Sequence, residues 1–365
     1  KAEQTLEAAR KEFPLSVVAL RALAEFFARH NQQPAMHVLL DRAASDARRA
    51  FAGGRFVTSL FETLATAYEL RGKADAARVV SATLAAISDQ PSDLRGAELA
   101  AASAELDDLL APEVLSPALR GLLARAGDGL DRGNPMDSEG LDAIPLDPSS
   151  PLAPLIKGAG NAMGLSGLLV LVSPRVGAVA LPKTSTPPTI VLGERLLGMG
   201  SDKARAFLIV RALKLVSVRA SALVRGKSEE VNALVSAWLS LFNPSWKPAN
   251  VPQGLLGDMQ KRLRPTMPAE DAGLGVMALE AAGQLGTSGP QLRSAIMGWA
   301  NRVALLAVGD PGAALDAIAW TMKEDHAPHG AEERPAWAAR NAEARDLMTF
   351  SVSDAYAEAR SRLGL

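Results

Sequence analysis

The feature that most constrains this chain is a pattern of apolar residues that returns. Leu20, Leu23, Phe27, Leu40 and Ala43 are answered about 41 residues on by Phe61, Leu64, Tyr68, Ser81 and Leu84, with turns at Asn31 and Gly72 in matching places. Within each copy the apolar positions lie three or four apart, the period of an amphipathic helix and not of a strand. The unit is a helical hairpin: an aromatic residue on its first helix, a short turn, then a small residue, Ala35 or Ala77, where the second helix must approach closely. A hairpin of this size cannot bury its apolar face alone, so it stacks on its neighbours. Leu6–Pro14 reads as the end of an earlier copy's second helix.

Proline limits the helical part. Residues 1–110 hold only Pro14, Pro34 and Pro91, whereas Pro112, Pro117, Pro135, Pro145, Pro148, Pro151 and Pro154 crowd the next stretch. The composition divides the chain into helical repeats over 1–110, a proline-rich connector with short helices over 111–154, and a second domain over 155–365. In that last part Leu168–Ser173, Ala178–Leu181 and Thr189–Leu192 are short apolar runs bounded by Pro or Gly, the signature of small buried strands. Helices are expected over Lys203–Val224, Glu229–Phe242, Leu274–Gly286, Gln291–Val308, Pro311–Lys323 and Asp346–Arg362, with Asn243–Pro268 as a packed loop or short helices. The expected fold class is mostly α, with an α+β second half built on a small sheet. All five tryptophans fall in that half, so its core carries the large aromatic surface.

Several chemistries are excluded by what is present. Lys and Arg total 39 against 40 Asp and Glu, a net charge of −1, so no global field draws the chain to nucleic acid or anionic lipid. Without cysteine there is no disulfide, thiolate zinc site or thiol nucleophile, which fits a cytoplasmic location. Leu165–Leu181 and Phe207–Val218 are interrupted by Pro174, Arg175, Arg211 and Lys214, and neither gives the roughly 20 clean apolar residues of a membrane span. The glycines at 53–54 and at 193, 198 and 200 do not form a phosphate loop, and no Gly-x-Ser-x-Gly elbow is present.

The hairpin pattern resembles the tetratricopeptide repeat family. Ala24 stands at the family's small position, but the interval exceeds about 34 residues because Ala44–Gly54 is inserted, and the late proline is displaced to Pro91. The resemblance implies a groove lined by the first helix of each pair, with Arg21, Glu25 and Arg29 of one copy and Glu62, Thr66 and Glu69 of the next facing a bound peptide or partner helix.

Over roughly residues 145–320 the order of elements resembles the minimal gluzincin zinc peptidases of the Ste24 type. The resemblance rests on Val176-Gly177-Ala178-Val179-Ala180-Leu181-Pro182, on Thr189-Ile190-Val191-Leu192-Gly193 with Leu196-Leu197, and on the long helix after Ser201-Asp202. Zinc hydrolysis needs two imidazoles one helical turn apart and a glutamate beside the first. The positions that should read His-Glu-x-x-His are Arg211-Ala212-Leu213-Lys214-Leu215. The later acidic positions are Met297 and Asn301, although Ala300 and the Gly309-Asp310-Pro311 turn are kept. Arg211, Ala212, Leu215, Met297 and Asn301 thus mark a degenerate former metal site, and no cofactor or metal is expected there.

The combination is similar to bacterial proteins that join such repeats to a ligand-free peptidase-like domain. It implies a noncatalytic scaffold that binds a protein or peptide in the repeat groove, the second domain capping the repeats. The alternative is a hydrolase with a relocated metal, drawing on His326 and His329 in the polar stretch Glu324–Glu333.

Overall fold

The computed structural model describes residues 2–137, 139–226, 228–246, 251–269, 272–285, 289–324 and 326–365. Over these the chain is mostly helical, 67 % in 19 helices, with one small mixed sheet of four strands. It packs as two compact units, Lys1–Ala97 with Val308–Leu365, and Glu98–Ala307. This division by packing differs from the compositional one at 110 and 154, because the C-terminal helices return to the first unit.

The first unit opens with α1 (Ala2–Glu12), α2 (Val17–Arg29), α3 (Gln33–Ala52), α4 (Thr58–Leu70) and α5 (Ala74–Ile87). The Ser16 hydroxyl caps α2 by accepting from the Ala19 amide at 3.2 Å. Helices α2 and α4 are each 13 residues long, and the two hairpin turns place Asn31 (φ 56°) and Gly72 (φ 72°) in the left-handed region that a chain reversal needs. The stretch expected as an insertion lengthens α3 to 20 residues, against 14 in α5. Its last turn carries Phe51, whose ring lies 4.5 Å from that of Phe61 and 6.0 Å from that of Phe56. Ala77 is buried as a close-approach position should be; Ala35, expected to match it, is exposed because the first turn of α3 stands clear of its neighbours.

The second unit runs through α6 (Asp107–Leu110), α7 (Pro117–Gly133), β1 (Ile144–Pro145), α8 (Ala153–Ala162), β2 (Leu169–Ser173), β3 (Ala180–Lys183), β4 (Thr189–Gly193), α9 (Glu194–Gly198), α10 (Asp202–Ser217), α11 (Ser221–Arg225), α12 (Ser228–Phe242), α13 (Gln253–Leu263), α14 (Ala272–Leu285) and α15 (Gly289–Val308). The strand order is β1-β2-β4-β3, with β2 and β4 parallel and both edge strands antiparallel. All five residues of β4 are buried, and α10 packs on β3, β4 and α8, so this helix sits in the core of the unit.

One local expectation is corrected here. The helix expected over Lys203–Val224 is α10 and α11, broken where Arg219 turns left-handed (φ 58°). Asn243–Pro268, expected as a packed loop or short helices, holds the 11-residue α13 followed by a single 3-10 turn at Arg264–Thr266. The helix expected to end at Gly286 is described to Leu285, Gly286 itself lying outside the described residues.

Four helices complete the first unit: α16 (Pro311–Thr321), α17 (Glu333–Arg340), α18 (Ala342–Ser351) and α19 (Asp354–Arg362). The single helix expected over Asp346–Arg362 is two, because the Ser353 hydroxyl accepts from the Tyr356 amide at 3.2 Å and starts α19 afresh. Helices α16, α18 and α19 pack on α5, and α18 also on α3.

A polar triad joins α19 to the hairpins. The Tyr68 hydroxyl donates to Asp354 Oδ1 at 2.8 Å, and Arg48 donates to both the Tyr68 oxygen and Asp354 Oδ1, each at 2.8 Å. Burial, reinforced by the Asp354 hydrogen bond and opposed by Arg48, pushes the Tyr68 hydroxyl from 10.0 up to about 12. The folded state therefore holds this proton where the unfolded state has lost it. The associated stability is complete below pH 10.0 and lost as pH rises toward about 12. Tyr68→Phe should remove about 1 kcal/mol near neutrality and flatten the alkaline fall. Urea midpoints measured across that window, with equal slopes for the two proteins, would contradict this.

Candidate functional site

Two regions carry the residues singled out by sequence. The first is the outer face of α2 and α4. Arg21 of α2 pairs with Glu69 of α4 at 2.5 Å, which brings the two expected groove helices together directly. Glu25 and Arg29 pair along α2 at 3.2 Å, and Glu62 is exposed on α4. Thr66 is the exception: it is only 4 % exposed, so it does not face solvent as expected. The reason is that α4 lies between α2, α3 and α5 and buries every residue from Thr63 to Tyr68. His30 and His37 are both exposed, and His30 Nδ1 donates to the Phe26 carbonyl at 2.8 Å.

The second region is the middle of α10. Arg211, Ala212 and Leu215 are buried, at 7 %, 1 % and 2 % exposure, on a helix that is continuous through all five positions. On α15, Asn301 is buried and Met297 half-buried. Beside these positions the Lys214 ammonium of α10 lies 4.5 Å from the centre of the Trp299 ring of α15. Lys214 Nζ also donates to Asp107 Oδ1 of α6 at 2.6 Å. Burial lowers the Lys214 pKa, with the Asp107 carboxylate pulling it back up and Arg120 adding to the depression.

Asp107 is the residue that sequence reasoning missed. A lysine in an apolar helix signals that a carboxylate must lie near it, but spacing along the chain does not say which. As donors for zinc these positions do not fit. A guanidinium and an ammonium accept no metal, and Ala212, Leu215 and Met297 offer no nitrogen or oxygen ligand.

The same unit contains a second buried ion pair, of structural character. Asp131 of α7 is fully buried and accepts from Arg225 of α11 at 2.6 Å and from the Ser185 amide at 2.8 Å. Arg225 also donates to the carbonyls of Pro182 and Asn134, so β3 is fastened to α7 and α11. Two open clefts of about 780 Å³ each lie elsewhere in the unit. One is lined by Pro145, Leu146, Ile156, Lys157 and Leu168, the other by Phe242, Trp246, Leu256, Gln260 and Arg264. Among the described residues, neither lining contains histidine or a pair of carboxylates, the groups general acid–base chemistry draws on.

No family model, no curated protein and no solved structure matches this chain. Among the described residues, no helix is long and apolar enough to cross a membrane.

Proposed function

We propose that the chain is a noncatalytic protein-interaction module of tetratricopeptide type, holding an extended peptide or a partner helix against the outer face of α2 and α4. The observation that carries this reading is the joined, mixed-charge surface of Arg21, Glu25, Arg29, Glu62 and Glu69 on two adjacent helices. The C-terminal helices pack on α3 and α5 instead, which leaves those side chains in water. A surface with both signs of charge selects a partner by complementary charge and loses grip as salt rises.

The second unit is, in this proposal, a peptidase-like fold without its chemistry. Support comes from the Lys214 ammonium, which brings its own positive charge into the core beside the positions that would otherwise hold the metal's ligands. Its role is to cap or present the repeats.

Reversing both Arg21 and Arg29 to Glu tests the groove. Arg29 belongs to an exposed i,i+4 pair and Arg21 to an exposed cross-helix pair, so each change should cost about 1 kcal/mol or less in stability. Capture of partner from native extract should fall about tenfold, a loss of roughly 1.4 kcal/mol of binding, and capture by the unaltered protein should weaken with added salt. Equal capture by the two proteins removes this face from consideration.

A further inference from the structure

The loop between α16 and α17 is held in place by buried polar contacts. Arg334, only 3 % exposed, donates to Asp89 Oδ1 at 3.0 Å, to Asp316 Oδ1 at 3.3 Å and to the Gly312 carbonyl at 3.0 Å. Asp316 Oδ1 also accepts from the amide of the buried Ala327 at 3.2 Å. Asp89 follows α5 in the left-handed conformation (φ 61°), and its second oxygen is turned to the loop. Asp89 Oδ2 accepts from His329 Nδ1 at 2.8 Å and from the Gly330 amide at 3.4 Å.

The two histidines of this loop are fixed by acceptors that cannot donate. His329 Nδ1 faces the Asp89 carboxylate, and His326 Nδ1 faces the Ala327 carbonyl at 2.8 Å. Both Nδ1 atoms must therefore carry the proton, and each neutral ring keeps a bare lone pair on Nε2. A histidine whose far nitrogen donates to a carboxylate or carbonyl is oriented and made more basic for a metal at the near one. The ring centres lie 4.4 Å apart. Two imidazoles at right angles in a square-planar or octahedral sphere, with metal–nitrogen bonds of about 2.0 Å, place their ring centres roughly 4.5 Å apart. Both side chains are exposed, so an ion has open access, and the Asp89 carboxylate that holds His329 adds negative charge beside it.

We propose that His326 and His329 form a two-imidazole site for a borderline divalent transition metal, with Asp89 orienting His329. Imidazole ligation selects Ni²⁺, Cu²⁺ or Zn²⁺ over Mg²⁺ and Ca²⁺, which take oxygen ligands. Among the described residues no group of three or more histidine or carboxylate side chains is arranged to hold a metal. Asp325, part of the stretch that sequence marked for metal binding, lies outside the described residues.

Calorimetric titration of Ni²⁺ into the tag-free chain tests the site, and the chain has only four histidines. One saturable site per chain is expected. His326→Gln or His329→Gln should each weaken it at least tenfold, and Asp89→Asn about tenfold, while His30→Gln and His37→Gln leave it unchanged. With Cu²⁺, electron paramagnetic resonance should show two coordinating nitrogens. The exposed histidine variants leave the core intact, so their folding is not in question. Absence of saturation, or saturation that survives the joint replacement of His326 and His329, overturns the proposal.

Discussion

Asp107→Ala should destabilise the 98–307 unit by roughly 3–5 kcal/mol, measured by urea unfolding. The Lys214 side chain is only 5 % exposed, and the Asp107 carboxylate stands 2.6 Å away. Removing that partner leaves a charge in a place water does not reach, with the Trp299 face 4.5 Å distant as the remaining compensation. Lys214→Met should behave differently. It fills the same space with hydrocarbon and leaves Asp107, which is partly exposed, to water, at about 1 kcal/mol or less. The double variant should sit near Lys214→Met, so a double-mutant cycle yields a coupling on the order of 3 kcal/mol. A coupling near zero would mean that the pair does not hold α6 to α10.

The pH dependence adds a second readout. The Lys214 pKa is depressed below its ordinary 10.5 by burial, and losing Asp107 depresses it further. Below the folded-state value both states carry the proton and the charge is buried at full penalty. Between that value and 10.5 the folded protein sheds its proton first, so the unfolded state binds more protons and stability climbs with pH. Asp107→Ala should therefore regain stability on the alkaline side more steeply than the unaltered protein.

Much of the fold is legible along the chain, and the exceptions share a cause. The apolar runs at Leu168–Ser173 and Thr189–Leu192 mark β2 and β4 to within a residue, because Pro and Gly bound them. The strand β1 escapes notice since two residues, Ile144 and Pro145, carry no period. The break between α10 and α11 falls in Ser217-Val218-Arg219-Ala220, which contains neither Gly nor Pro. It is made by a distant contact: a Cβ on Gly127 of α7 would lie 2.3 Å from the Arg219 carbonyl oxygen, so the bare glycine is what lets that turn dock. The restart at Ser353 is set by a single hydroxyl cap, which the apolar period on either side conceals.

The candidate sites divide the same way. The charges on the exposed stripe of α2 and α4 stand where the resemblance to the repeat family implies them. The burial of Thr66 and the arrival of Asp107 beside Lys214 depend on which helices become neighbours, and that is set by packing far from either residue. The same holds for His329, whose partner Asp89 ends a helix in another part of the chain.

Gly193→Ala should prevent the sheet from forming in its present register. The residue ends the wholly buried β4, pairs with Ser173 of β2, and donates its amide to the Val179 carbonyl at 2.9 Å. Its own backbone is ordinary, with φ −69° and ψ 139°, so no conformational strain is at stake. The obstacle is space. A Cβ would lie 1.6 Å from the Gly177 carbonyl oxygen and 2.2 Å from that of Val176, and backbone atoms cannot rotate aside as a side chain would. The 176–179 segment would have to withdraw, breaking the Gly193–Val179 hydrogen bond and loosening β3 from β4, on which α10 packs. The expected loss exceeds about 4 kcal/mol, in the range reserved for major core disruption. Gly198→Ala is the control, for nothing lies within 4 Å of its Cβ and it sits in α9 at the surface, where alanine is neutral or favourable by about 0.5–1 kcal/mol. Unfolding midpoints of the two variants that agree would show that the chain from β2 to β3 does not cross Gly193 this closely, and that α10 is seated by something other than this sheet.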